Sequence, residues 1–181
     1  AEVLVICGGE AIKRVTSVKY LGVTLDQTLN FREHATEIVK KANAKLCFLY
    51  RCANSLKRGH RRLLCSALIN AGLEYCCSAW FPSLVEELKG GLATLQRKMV
   101  RFVMDMDRRE HVGEADVWGL GWMPFHRRVD FFKAMHVFKV QRSAAPAYIS
   151  SNFTLISAVH SHSLKQSDRN FSLSCCSFPP K

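Results

Sequence analysis

Between residues 17 and 42 the chain reads SVKYLGVTLDQTLNFREHATEIVKKA, and the spacing of its apolar side chains changes halfway through. As far as Leu25 the run is short and rich in β-branched and aromatic residues, which is the pattern of a strand. After LDQTLN, apolar residues recur at Phe31, Ala35, Ile38, Ala42, Leu46 and Leu49, the spacing of one face of a helix. A strand therefore hands over, through a polar turn, to an amphipathic helix spanning about residues 30–55. A second β-branched run, VLVIC at residues 3–7, precedes the first across Gly8, Gly9 and a polar stretch. Residues 3–7 and 18–25 are expected to pair as one hairpin. Both runs are partly apolar on both faces, so such a hairpin calls for a larger sheet or a helix to cover it.

The same periodicity places three more helices. One runs over about 60–80 through Leu64, Leu68, Ala71 and Tyr75 and stops at Pro82, because proline disfavours a helical residue before it. The next, about 84–106, carries Leu84, Leu88, Leu92, Leu95, Met99, Phe102 and Met106, with Gly90 and Gly91 inside it. Each glycine is expected to weaken or kink it, by about 1 kcal/mol relative to alanine. Residues 107–124 are broken by Gly113, Gly119, Gly121 and Pro124, and a fourth helix follows at about 125–142 with Val129, Phe132, Met135 and Phe138 on its faces. From residue 143 serine, alanine and proline dominate, the composition of a loosely ordered tail. The fold class is thus mainly α: an N-terminal β-hairpin, a bundle of about four helices and the tail.

With 26 basic against 15 acidic residues the formal net charge is +11, which favours a polyanionic partner such as nucleic acid. The charge is concentrated. Residues 30–62 carry Arg32, Lys40, Lys41, Lys45, Arg51, Lys57, Arg58, Arg61 and Arg62 against only Glu33 and Glu37. Aromatic rings such as Tyr20 or Trp80 are candidates to contact bases or sugars, although Trp80, Phe81, Phe102 and Phe132 sit in apolar stripes that suit a core better. Five of the eight cysteines, Cys47, Cys52, Cys65, Cys76 and Cys77, fall in helix-patterned text, which argues for a reducing, intracellular setting, nuclear or cytoplasmic. No apolar run is long enough to span a bilayer. The chain starts at Ala1 in mid-pattern, as a piece of a longer protein would.

Other chemistry is weakly signalled. Asp105 and Asp107 diverge on a helix rather than converging on paired metal ions. Cys76 with Cys77, Cys175 with Cys176, His160 and His162 lack the spacing of a structural zinc site. Two rivals to nucleic-acid binding stand beside it: a basic helical protein-interaction module and a small cysteine-rich metal protein.

Four stretches in order, VKYLGVTLDQTLNFREHATEIVKKANAKLCFLYR, LEYCCSAWFPS, LQRKMVRFVMD and LGWMPFHRRVDFFKAMHVFKV followed by APAYI, together resemble the region after the catalytic core of non-LTR (LINE-type) retrotransposon reverse transcriptases. The resemblance covers about residues 1–165. It implies that Lys19, Tyr20, Leu21 and Gly22 close the palm at the primer grip, that Asp26, Phe31 and His34 open the first thumb helix, that Trp80 and Pro82 end the second, and that Gln96 and Arg97 are the polar pair of the third. It divides the chain into a palm-end hairpin at 1–27, a thumb-like domain at 28–106, a connector with a fourth helix at 107–142, and the tail at 143–181. The implied ligand is the backbone of an RNA/DNA duplex, held by Lys19, Tyr20, Gly22, Lys40, Lys41, Lys45, Arg51, Lys57, Arg58, Arg61 and Arg62. The implied partner is the parent's palm and fingers, without which the exposed hairpin should aggregate or dimerise. The parent polymerase needs magnesium held by an Asp-Asp turn. No Asp-Asp pair occurs here, so the chain itself is expected to bind no cofactor and to catalyse nothing alone.

Overall fold

A computed structural model describes residues 5–142, 145–155 and 171–173. They fall into two compact units, residues 1–130 and 131–181, and the fold is mainly helical, as expected.

The first unit opens with two consecutive ribbons in place of the single hairpin expected between residues 3–7 and 18–25. Strand β1 (Val5–Cys7) pairs antiparallel with β2 (Glu10–Ile12), and β3 (Ser17–Tyr20) with β4 (Val23–Asp26). The first turn is Gly8 and Gly9, at φ 60° and 87°, and the second is Leu21 and Gly22, at φ 45° and 84°. Two central residues at positive φ give a two-residue turn whose twist matches its strands. Such a turn closes locally, whereas pairing residues 3–7 with 18–25 requires a longer loop at a higher entropic cost.

Asp26 then redirects the chain. Its Oδ1 accepts the Thr28 N–H at 2.9 Å, the Thr28 hydroxyl at 2.6 Å and the Asn30 N–H at 3.3 Å, while Oδ2 accepts the Phe31 N–H at 2.8 Å. Phe31 sits at φ 54° with its side chain buried, and helix α1 (Arg32–Arg51) starts immediately after it. Ala35, Ala42, Leu46 and Leu49 are buried along α1, so the apolar stripe lies where its spacing places it.

The expected second helix is broken into α2 (Arg58–Cys65), a π-helical turn (Ser66–Asn70), α3 (Ala71–Glu74) and α4 (Cys77–Trp80). Its buried face is also different: Leu68, Ala71 and Tyr75 are exposed, and Arg61, Cys65, Ile69, Leu73 and Cys77 point inward. Those five are spaced strictly by four, which drifts by about 40° per step on a 3.6-residue helix. The wider π turn absorbs the drift. Lys45 on α1 supports that turn, donating from Nζ to the Leu68 carbonyl at 2.7 Å. The break between α3 and α4 falls at Cys76, φ 51°, where the indole N–H of Trp80 donates to the Tyr75 carbonyl at 3.0 Å.

Helix α5 (Glu86–Met104) runs through Gly90 and Gly91 unbroken and buries Leu92, Leu95, Met99, Val100, Phe102 and Val103. It packs against α1 and α2. A short helix that periodicity does not reveal, α6 (Glu114–Gly119), begins where the Asp116 carboxylate accepts the Gly113 N–H at 2.9 Å. The last long helix, α7 (Phe125–Gln141), adds Phe125 and Val129 to the core of the first unit. In the second unit Phe132 is half-buried and Met135 and Phe138 are exposed, so of that expected face Val129 alone is a core residue. Further on, α8 (Ala147–Ser150) precedes β5 (Phe153–Leu155), which pairs with β6 (Phe171–Leu173). The rest of the expected tail, residues 143–144, 156–170 and 174–181, lies outside the described residues, as do Cys175, Cys176, His160 and His162. Among the described residues no helix is long and apolar enough to cross a membrane.

Candidate nucleic-acid interface

The junction of ribbon and helix is built on two aromatic contacts. His34, buried on α1, accepts the Thr24 N–H at Nδ1, 3.2 Å away, and meets the fully buried Trp80 ring edge-on at 5.7 Å. Burial pushes its pKa below the ordinary histidine value; Glu37 acts in the opposite sense. Trp80 stacks on Phe125 at 6.1 Å. Tyr75 latches the tip of the second ribbon, donating its hydroxyl to the Leu21 carbonyl at 2.7 Å. A Cβ at Gly22 would lie 3.5 Å from the Tyr75 ring. Gly22 therefore serves the turn and the latch, and Trp80 the core.

The basic residues divide by what else they hold. Arg61 is buried: its guanidinium donates to the carbonyls of Leu56, Phe102 and Ala53 and to the Asp105 carboxylate at 2.7 Å. With its donors spent inside the fold it is a strut between the end of α1, α2 and the end of α5, and is withdrawn from the candidate phosphate ligands. Lys45 is engaged by Leu68, Lys41 pairs with Glu37 one turn away at 2.6 Å, and Arg62 donates to the Leu120 carbonyl at 3.0 Å. Arg51 lies over the exposed ring of Phe48, 5.5 Å from its centre. Lys19 and Tyr20 on β3, Lys40 on α1, and Lys57 and Arg58 at the start of α2 are all exposed to solvent.

Two further exposed cations lie on α5. Lys98 on α5 reaches the Asn43 side-chain oxygen on α1 at 3.5 Å, and Arg97 beside it is exposed, held by the Thr94 hydroxyl at 2.9 Å. The solvent faces of α1 and α5 thus adjoin, and both are basic. The signal was present in the sequence: Arg97, Lys98 and Arg101 lie opposite the apolar stripe of α5. Gln96, the other member of the expected polar pair, is structural, since its amide donates to the Met123 carbonyl and accepts the Phe125 N–H.

The aspartates that the sequence singles out are engaged by the fold. Asp26 is committed to the turn before α1, and its hydrogen bonds, that of the Thr28 hydroxyl foremost, hold its pKa down at about 2. Asp105 ends α5 at φ 60° beside Arg61, and Asp107 accepts the Arg109 N–H. Among the described residues no three metal-binding side chains converge. Among the described residues the thiols of Cys65 and Cys77 are buried and are pushed up to about 12 and about 11 by that burial, which keeps them protonated and unreactive.

No protein-family model and no solved structure matches the chain. It is similar to a curated protein of Nasonia vitripennis, the retrovirus-related Pol polyprotein from the type-1 retrotransposable element R1 2, with 27% identity over 135 residues. The match covers 72% of this chain and 32% of that polyprotein, so the chain spans only a part of its relative's length. Over that stretch the chain is thus similar to part of a retrotransposon Pol polyprotein.

Proposed function

We propose that the chain is the part of a non-LTR retrotransposon reverse transcriptase that follows the catalytic palm, and that its helical unit grips a template–primer duplex by the backbone. The observation that carries this reading is the exposed basic surface on helices that share one core, with Lys40 on α1, Lys57 at the start of α2 and Lys98 on α5. Cations on a rigid frame hold a duplex without reading its sequence, which is what a polymerase needs. The second ribbon fits the end of a palm, because Val18, Tyr20 and Leu21 expose apolar surface that a preceding sheet would cover. The parent's palm and fingers are then its natural partners. Asp26, committed to a turn, and Asp105, at a helix end beside Arg61, are not disposed as a carboxylate pair for magnesium, and on this reading catalysis belongs to the parent.

Filter or anisotropy binding of an RNA/DNA duplex at several salt concentrations tests the reading. Affinity should be independent of sequence and fall with salt, with a log–log slope of about 0.9 per neutralised phosphate. Replacing Lys40, Lys57 and Lys98 by glutamine should make the slope shallower by about 2 to 3. Salt-indifferent binding, or stronger binding to an acidic polypeptide, would favour the protein-interaction module instead.

A further inference from the structure

A neutral imidazole accepts a hydrogen bond at one nitrogen and donates from the other. At His34 the accepting atom is Nδ1, which takes the Thr24 N–H of β4 at 3.2 Å, so the ring proton sits on Nε2. That atom is buried and has no hydrogen-bond partner among the described residues. A second proton would set an N–H on Nδ1 against the Thr24 N–H, donor facing donor. The cation thus finds an acceptor at neither nitrogen, and a charge without a partner is costly to bury. Water satisfies it once one wall of the site gives way. The wall at Trp80 is fully buried core, whereas β3 has no buried residue and β4 buries Val23 alone. The ribbon is therefore the side that yields.

Burial is the largest influence on the ring and lowers its pKa from the ordinary value of 6.5; Glu37 on α1 acts in the opposite sense, and Lys41 on α1 and Lys19 on β3 act with burial. On β4 the Asp26 carboxylate is taken up by the amides that follow it. On α4 the Cys77 thiol stays protonated, and Glu74 on α3 is paired with Arg128 on α7. We infer that the contact between His34 and Thr24 is an acid-sensitive joint: protonation of the imidazole frees β4 from α1, while the helices stay folded and Tyr75 keeps the ribbon's tip at Leu21. The joint is independent of what the basic helices bind.

Because the closed joint resists the proton, the open form gains on it as pH falls below the ordinary histidine value of 6.5, by about tenfold per pH unit until the closed form is itself protonated. NMR of the full chain between about pH 7.5 and 5 tests this, with the nitrogen shifts of His34 reporting its tautomer and its titration. Protection of the Thr24 amide, corrected for the intrinsic rate of exchange, should fall by about tenfold per pH unit over that window, while Leu46 and Met99 keep theirs. Asp26 stays ionised throughout, since its pKa is held at about 2. Tyr75→Phe keeps the ring beside Gly22 and removes the bond to Leu21, so the ribbon parts more easily and the His34 midpoint should rise towards 6.5. A histidine that only fills space would not register that change. His34→Asn keeps an acceptor close to the position of Nδ1 without titrating in this range and should remove the pH dependence at Thr24; should that variant not fold, the shifts of His34 in the unsubstituted chain and in Tyr75→Phe decide alone. Thr24 protection that ignores pH, or a His34 that gains its proton with the Thr24 bond intact, would overturn the joint. So would a midpoint unmoved by Tyr75→Phe, or loss of protection at Leu46 and Met99 in step with Thr24, which is acid unfolding of the whole unit.

Discussion

Asp26 and Arg61 both carry charge, and both spend it on the fold. Because its bonds lower the Asp26 pKa from 3.8 to about 2, the folded state holds the ionised form more tightly than the unfolded chain does. The stability it contributes is fully present above pH 4 and is lost as pH falls through about 2. Asp26→Asn should therefore lower the urea midpoint at neutral pH, and the gap from the unsubstituted protein should close between about pH 4 and 2. Arg61 poses the opposite question, since a lysine there keeps the charge and loses the fork. Arg61→Lys should cost about 2–4 kcal/mol in denaturant unfolding, because several carbonyls lose their donor at once. If Arg61 were a phosphate ligand, lysine would preserve stability and weaken binding; the strut predicts the reverse. The positive charge of residues 30–62 was legible in the sequence, but its division between solvent and interior was not. Neighbours decide it: Arg61 faces carbonyls on three segments, while Arg58, one turn earlier, lies at the surface.

At the level of elements, regular helices were legible and irregular ones were not. The stripes of α1 and α5 follow a 3.6-residue period and are buried where they repeat. The stripe of α2 to α4 follows a period of four, which hides behind the equally apolar Leu64 and Leu68 until the π turn is known. The first ribbon is hidden in the sequence because Gly8 and Gly9 read equally as a separator between strands and as the glycine pair that a tight hairpin turn requires. Gly90 and Gly91 give a test at this scale. A Cβ at either would meet nothing within 4 Å, so α5 carries both at the cost of backbone entropy alone. Gly90→Ala and Gly91→Ala should each stabilise the protein by about 0.5–1 kcal/mol, read as a rise in the urea midpoint. A loss of stability would mean that the helix needs its flexibility there.

For the whole molecule, the ribbons and the helical core differ in what protects them. Val5 and Ile6 are 52% and 62% exposed on short strands whose outer edges have no partner among the described residues, and such edges invite pairing between chains. Amide exchange should be fast at Val5 and Ile6 and slow around Leu46 and Met99. Sedimentation should show concentration-dependent association that disappears when residues 1–14 are removed. A monomer whose first ribbon is as protected as α5 would contradict this. The second ribbon is mounted differently. The phenol of Tyr75 holds its tip at Leu21, and the imidazole of His34 holds its second strand at Thr24. Two mounting points on one rigid ribbon fix a direction, so any sheet that lengthens this ribbon is aimed by the helices. On the proposed reading, the angle between a palm sheet and the helices that grip a duplex would then be set by one phenol and one imidazole.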